Sequence, residues 1–566
     1  MKVIVACLFS VILNVESVIY QNVTYEPVQR QLLDFKRDHP LPIGLWTKNT
    51  GDPVEIRDTI TINSDQFNNQ LLLDTMLTFD GERIPERVVH AKGTGAFGYF
   101  EVTNDVSKYT YADVFNGIGK KTPLVVRFSN AAQSLGGTDV SKELRGMSIK
   151  FYTREGNLDL LCLQTPVYLY RDPLFFWSLV RAFKRNPQTN ILVDYTSRWD
   201  LVMLKPANYT TLCRLSNSNT LAHTFFWTLS DYGLPNGYRR MDAFPIHTYE
   251  IANKHGERHY VRFNFRTEQG FSALTNEQAQ IIQGQDPDYF NRDLYNAIEQ
   301  GNFPAWRLEM DMMTPEDIQK VDFDPFDVTR LWKNGTYSTV QIGRLVLNRN
   351  VENQFRDVEQ GAFNPAALVP GIPGPADFLF RGRRMFYRDT QNHRLGRNHN
   401  KIFINMPLYA KTYIRDGTPP TRLNMKNAPN YWPNSFNGPI PYVDEKRPRE
   451  KLLVLESNAV DLQPLNYFYN HILEDEAHRQ RFIQTIVATL GSVTPPVLQR
   501  VLKFLYLVDQ DLGSRVSLGL EVALAQAAAE QAAAQATPPP NVPIRNVPTA
   551  DPAPEKYQAK HVHSEH

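Results

Sequence analysis

The sequence predicts an α+β fold in which an antiparallel β core precedes a small helical domain. Three observations carry that expectation. Between Val88 and about Asp327, β-branched and aromatic runs such as Leu124-Val125-Val126-Arg127-Phe128, Ser148-Ile149-Lys150-Phe151-Tyr152 and Tyr260-Val261-Arg262-Phe263-Asn264-Phe265 recur between turns. That is the pattern of an antiparallel barrel or sandwich. From Asn334 to about Arg449, Pro365, Pro370, Pro373, Pro375, Pro419 and Pro420 block long regular elements, so this stretch reads as a loop wrapping the core. In residues 465–488 and 496–507 apolar side chains take helical spacing, with Pro495-Pro496 between two helices.

Taken in order, residues 1–17 read as a secretory signal peptide, because the apolar run 3–15 follows a single Lys2, is short for a bilayer span, and ends near small Val15 and Ser17. Residues 18–85 form an extended arm, 86–333 the β core, 334–455 the wrapping loop and 456–520 the helical domain. Residues 521–566 form an Ala/Gln-rich helical stretch with a Pro-rich tail, whose His561, His563 and His566 read as solvated. Sequons at Asn22, Asn208 and Asn334 fit passage through the secretory pathway, and the C-terminus carries no Ser-Lys-Leu type address. After loss of Cys7 only Cys162 and Cys213 remain, which rules out a disulfide-scaffolded domain and reads as two buried thiols, with one bridge between them as the alternative. With 61 Lys and Arg against 60 Asp and Glu the net charge is +1, so no basic field attracts nucleic acid, and no further segment approaches membrane-spanning length.

The chemistry-bearing residues are scattered. His90 follows Arg87-Val88-Val89 and precedes a Gly-rich run; Arg127-Phe128-Ser129 lies downstream; Arg383-x-x-x-Tyr387-x-Asp389 comes far along the chain. With the blocks 87–102, 117–129, 184–189 and 343–350, these segments resemble the haem catalase family over about residues 47–488. The resemblance implies an eight-stranded antiparallel barrel with wrapping loop and helical domain, haem b as cofactor, hydrogen peroxide as substrate, and a homotetramer with interlocking arms. It implies that His90 is the imidazole that takes a proton from one peroxide oxygen and returns it to the other, with Ser129 fixing its tautomer, although the family's neighbouring Thr is here Asn130. Tyr387 matches the tyrosinate iron ligand. Arg383, one helical turn earlier, matches the cation that keeps it ionised, which free tyrosine, with a pKa of roughly 10, requires. Arg87, Arg127 and Arg394 match the propionate-binding arginines, and Phe176 the aromatic that stacks on haem.

Several positions depart from the family. Met385, Phe386 and Arg388 stand where Phe, a small residue and Pro are usual, which alters haem seating. A gapless count from His90 to Pro166 puts Leu163 where catalases carry a distal Asn that donates to peroxide; Gln164 replaces that amide only if a bulge shifts the strand register. At the family's optional NADPH site His223, Ser230, Arg266 and Trp332 are compatible, but Tyr232 replaces an Arg and Asn264 and Asn334 replace His, so tightly bound NADPH is not expected. The resulting expectation is a secreted catalase slowed by Leu163. The alternatives are a haem-binding protein with little activity, or an enzyme acting on organic hydroperoxides.

Overall fold

The computed structural model describes residues 25–59, 70–191, 195–203, 219–413, 416–418, 425–445 and 462–536. The expected leader, the sequons at Asn22 and Asn208, Cys213 and the Pro-rich tail lie outside the described residues.

Eight strands make one antiparallel sheet: β1 Gly93–Val102, β2 Lys121–Asn130, β3 Arg145–Thr153, β4 Gly156–Leu163, β5 Tyr249–Ala252, β6 Arg258–Thr267, β7 Ala305–Met313 and β8 Ser338–Asn350. Their spatial order is β4-β3-β2-β1-β8-β7-β6-β5. Alternation decides which face each residue takes. Leu124, Val126 and Phe128 of β2, Met147, Ile149 and Phe151 of β3, and Leu158, Leu160 and Cys162 of β4 turn into one shared core. Burying each large apolar side chain there stabilises by roughly 1.5–3 kcal/mol. The sheet curls until the end of β4 meets the chain just before β5: Leu163 N–H donates to Phe244 O at 2.9 Å and Phe244 N–H returns to Leu163 O at 2.7 Å.

The sheet extends past the expected boundary at residue 333. β8 lies in the stretch read as loop, because every proline that suggested a loop comes at 365 or later and 338–350 holds none. Gly343 is needed there, since a Cβ would sit 2.3 Å from Glu101 O and 2.5 Å from the Phe100 ring. The same stretch also contains an 18-residue helix, Phe378–Leu395, begun by Asp377, whose Oδ1 accepts from Phe380 N–H at 2.9 Å, and ended at Gly396 with φ +85°.

Helices Glu476–Leu490, Pro495–Val508 and Gln510–Ala536 follow. They pack with helix Asn219–Leu229 around a second core that includes Phe226, Phe468, Phe482, Val501 and Leu512. The arm carries helices Gln31–Asp38 and Gln70–Phe79 and leaves Leu32, Leu41, Ile43, Leu45 and Trp46 exposed.

Candidate active site

The outer face of β1 to β4, opposite the apolar core, forms the floor of the site. Gly93 and Gly95 of β1 pair with Ser129 and Arg127 of β2; Ser129 pairs with Gly146 of β3, and Gly146 with Leu163 of β4. Directly paired residues share a face, so Ser129, Gly146 and Leu163 form a row. His90 rests on it. Its Nδ1 shares a 3.0 Å hydrogen bond with Ser129 Oγ, and a Cβ at Gly146 would lie 3.1 Å from the imidazole, so glycine makes the room. His90 holds φ +65°, a left-handed conformation costing about 1–2 kcal/mol for a residue with a Cβ, tied down by its N–H to Ala131 O at 3.1 Å. Burial, with Arg127, Arg87 and Arg383 adding like charge, drives the imidazole down to about 3. It is therefore neutral at ordinary pH and able to accept a proton.

Leu163 is buried at the end of the row, and the β3–β4 ladder runs from Thr153↔Gly156 to Gly146↔Leu163 without a register shift. Gln164 points elsewhere: its Nε2 donates to Glu143 O at 3.0 Å and to Tyr232 O at 2.8 Å. No amide of this strand joins His90. Asn130, on the opposite face from Ser129, donates to Glu143 Oε1 at 3.0 Å and accepts from the Tyr238 hydroxyl at 3.1 Å. It anchors the strand end that carries Ser129.

Helix 378–395 supplies the other wall. One turn apart, Arg383 donates to Tyr387 Oη at 3.4 Å. Its other terminal nitrogen is 2.7 Å from His247 Nε2, and His247 Nδ1 is 2.9 Å from Asp377 Oδ2. Burial works against the Arg383 charge, yet Tyr387 and Tyr168 outweigh it and hold the guanidinium above its ordinary range. Burial likewise keeps His247 low against the pull of Asp377. Asp377 thus caps the helix and terminates a hydrogen-bonded chain that ends on the Tyr387 phenol.

Arg87, Arg127 and Arg394 converge at one end. Arg87 pairs with Glu359 at 3.0 Å and Arg394 approaches it at 3.6 Å, while Arg127 donates to Ala91 O at 3.0 Å. Burial and mutual repulsion lower Arg127 and bring Arg394 to about 9. Phe176, in helix Phe175–Ala182, has one ring face stacked on Phe386 at 5.3 Å and 23°, so the bulky residue at 386 meets the very aromatic expected to stack on haem. Met385 is exposed.

The remaining predicted residues divide. Tyr232, Asn264, Arg266, Trp332 and Asn334 line a cleft of about 540 Å³. His223 is buried, with Nδ1 2.9 Å from Thr329 O, and Ser230 caps the turn Asp231–Gly233, accepting from Tyr232 N–H at 3.3 Å.

Comparison with known proteins agrees with this architecture. Residues 47–438 match the family model described as Catalase, and residues 466–520 the one described as Catalase-related immune-responsive. The chain belongs to the catalase family. It is 42% identical to a catalase of Methanosarcina barkeri over 80% of this chain and 89% of that one. It is 37% identical to a catalase of Drosophila melanogaster over 88% and 98%. Catalase A from Saccharomyces cerevisiae superimposes with a TM-score of 0.77 at 33% identity, covering 84% of this chain and 99% of the yeast chain. A fungal catalase gives 0.78 at 32% identity over 84% and 96%. The enzyme class, decomposition of hydrogen peroxide, comes with the family.

The family's haem fits the residues present. Three buried guanidiniums around Glu359 leave uncompensated positive charge, and Arg127 Nε and Arg394 Nε are buried without hydrogen-bond partners, which suits a dianionic group such as the haem propionates. Tyr387 and its cation face the same region from the helix. Sequence reasoning missed His247 and Asp377, 130 residues apart; the available signal was an aspartate immediately before a helix whose next turn carries the key arginine.

Proposed function

We propose that this catalase-family chain decomposes hydrogen peroxide to water and oxygen on haem b, at a rate lowered by Leu163. The observation that carries this reading is the row Ser129–Gly146–Leu163 beneath His90, with Gln164 bonded away from it. Haem, when bound, supplies the iron redox chemistry that splits the O–O bond. Tyr387 is its ligand and Arg383 the cation that stabilises the phenolate. Arg87, Arg127 and Arg394 hold the propionates, and Phe176 flanks the ring. His90 is the catalytic acid-base group: Ser129 occupies Nδ1, so Nε2 takes the proton from one peroxide oxygen and delivers it to the other. In related sites an amide donor would polarise peroxide, and the Leu163 side chain donates nothing.

Losing one neutral donor in a dry site removes about 1–3 kcal/mol, or one to two decades of rate. Leu163→Asn is therefore expected to raise oxygen release from hydrogen peroxide by roughly 10- to 100-fold. An unchanged rate sinks the reading. The apolar Leu163 also favours a second substrate class, organic hydroperoxides, so the ratio of organic to hydrogen peroxide turnover should fall in the same variant.

NADPH is not part of the proposal, because Tyr232, Asn264 and Asn334 put neutral groups where phosphate needs cations. Secretion is supported by the apolar run 3–15 and by the sequons at Asn22, Asn208 and Asn334. An intracellular, glycan-free protein retaining Met1 would contradict it. A homotetramer is supported by the exposed apolar side chains of the arm, which a partner subunit would cover.

A further inference from the structure

The aromatic side chains beside helix 378–395 form a connected set that the peroxide chemistry above does not use. Arg383 touches two phenol rings, its guanidinium 5.4 Å from the centre of the Tyr387 ring and 5.7 Å from that of Tyr168. The Tyr168 hydroxyl is 3.2 Å from the Tyr170 hydroxyl, and the two rings meet edge to face at 4.9 Å. Tyr170 in turn lies 6.3 Å from Phe176, and Phe176 lies 5.1 Å from Trp177. Each ring-to-ring step falls within the range of aromatic contact. Tyr170 is buried, whereas Trp177 is 45% exposed. The rings therefore run from the wall that carries Tyr387 to the protein surface.

A second connection joins the same two points. Phe386 precedes Tyr387 and replaces the small residue usual in the family, and its ring packs 5.2 Å from Trp177 and 5.3 Å from Phe176. Gly382 lets the neighbouring segments approach, since a Cβ there would sit 2.3 Å from Pro173 Cβ. Tyr168, Tyr170 and Trp177 carry phenol and indole, the aromatic groups that give up single electrons most readily. Burial raises the pKa of both phenols, so at ordinary pH they stay protonated, and an electron leaves only as a proton shifts. The contact between the two hydroxyls lets that proton move between neighbouring oxygens and return.

We propose that Tyr168, Tyr170 and Trp177 form an electron-transfer route by which this chain oxidises bulky phenols at its surface, with Trp177 as the point of contact. The proposal rests on haem held at Tyr387, as read above. Hydrogen peroxide leaves two oxidising equivalents in the site. Each takes one electron from Tyr168, which is refilled through Tyr170 from Trp177, and Trp177 is refilled by a phenol outside. One hydrogen peroxide and two phenols thus become two waters and two phenoxyl radicals, and the two protons that the phenols release to water balance the two taken up at the site.

The test freeze-quenches the haem-loaded full chain after mixing with hydrogen peroxide and records its electron paramagnetic resonance spectrum, with ring-deuterated tyrosine or ring-deuterated tryptophan incorporated. Radical signals narrowed by each label are expected, and Tyr170→Phe is expected to lower the tryptophan-centred signal at least about tenfold. Oxidation of a phenol tethered to dextran, which is too large to enter the buried site, is expected to fall at least about tenfold in Trp177→Phe while oxygen release changes by less than about twofold. Absence of both radicals in protein that shows a haem spectrum and releases oxygen would overturn the proposal and leave the reading of the site standing, as would full tethered-phenol oxidation in Trp177→Phe and Tyr170→Phe alike. Unsubstituted protein that binds no haem would overturn both together. The radical spectra come from the unsubstituted protein, so they decide the matter even where a variant fails to fold.

Discussion

The two walls of the candidate peroxide site are built on opposite principles. On the helix side, Asp377, His247, Arg383 and Tyr387 form a continuous chain of contacts between 2.7 and 3.4 Å, each group oriented by the next. On the sheet side, His90 has one side-chain hydrogen-bond partner among the described residues, Ser129, and the row beneath it ends in a hydrocarbon. A linked chain over-determines the position of its last member, whereas a single hydrogen bond on an apolar floor leaves chemistry to one group. On the proposed reading, the wall that would retain the haem is thus redundant, and the wall that would handle peroxide is not.

The contrast is broken most completely at Tyr387. Tyr387→Phe removes the one oxygen on which the chain converges, and haem is expected to be lost or its visible spectrum changed; equal haem content with an identical charge-transfer band would refute the ligand assignment. His90→Ala comes next. With no acid-base side chain hydrogen-bonded to His90 among the described residues, peroxide turnover is expected to fall by a factor of about 10² to 10⁴ while haem content stays near normal. A decline of less than tenfold would mean that another group moves the proton. Asp377→Ala tests the redundancy of the helix wall: it removes a cap and the partner of a buried histidine, at a stability loss of about 2–4 kcal/mol. Residual haem binding is expected through Arg383 and Tyr387, and its complete loss would show that the chain acts as a single unit.

Much of this was legible from sequence, but by different routes. The β-branched and aromatic runs at 124–128 and 148–152 marked β2 and β3, and the gapless count placed Leu163, because an uninterrupted strand keeps its register. The same rule indicated that Gln164 faces away. β8 was hidden by a reading that spread later prolines over residues 338–350, although the run Val340 to Leu347 is strand-like. His90 and Tyr387 could be identified only through resemblance, since a lone histidine or an Arg-x-x-x-Tyr repeat is ordinary in any large chain. The Phe176–Phe386 stack and the His247–Asp377 contact join residues 210 and 130 positions apart, and no local pattern encodes such pairs.

The smallest expected effect separates the site from the scaffold by pH. His90 is held down to about 3 and His223 to about 4, in both cases chiefly by burial. In the unfolded chain each titrates near 6.5, so between pH 6.5 and 4 the unfolded state binds more protons and stability falls as the pH is lowered. His223 lies outside the site, with Trp227 Nε1 donating to its Nε2 at 3.3 Å. His223→Gln should flatten the acid slope of the melting temperature without moving the pH profile of turnover. A shift in that profile would place His223 in the chemistry.

The cluster of Arg87, Arg127 and Arg394 has a consequence for the life of the protein before it works. Three mutually repelling buried cations weaken the cofactor-free chain, and a ligand that neutralises them favours the folded state, by about 2.7 kcal/mol at a hundredfold excess over Kd. If these arginines hold the haem as proposed, porphyrin supply would act as a folding checkpoint: chains that load would survive, and chains that do not would be softer targets for proteolysis. Comparing protease half-lives with and without haem would measure it.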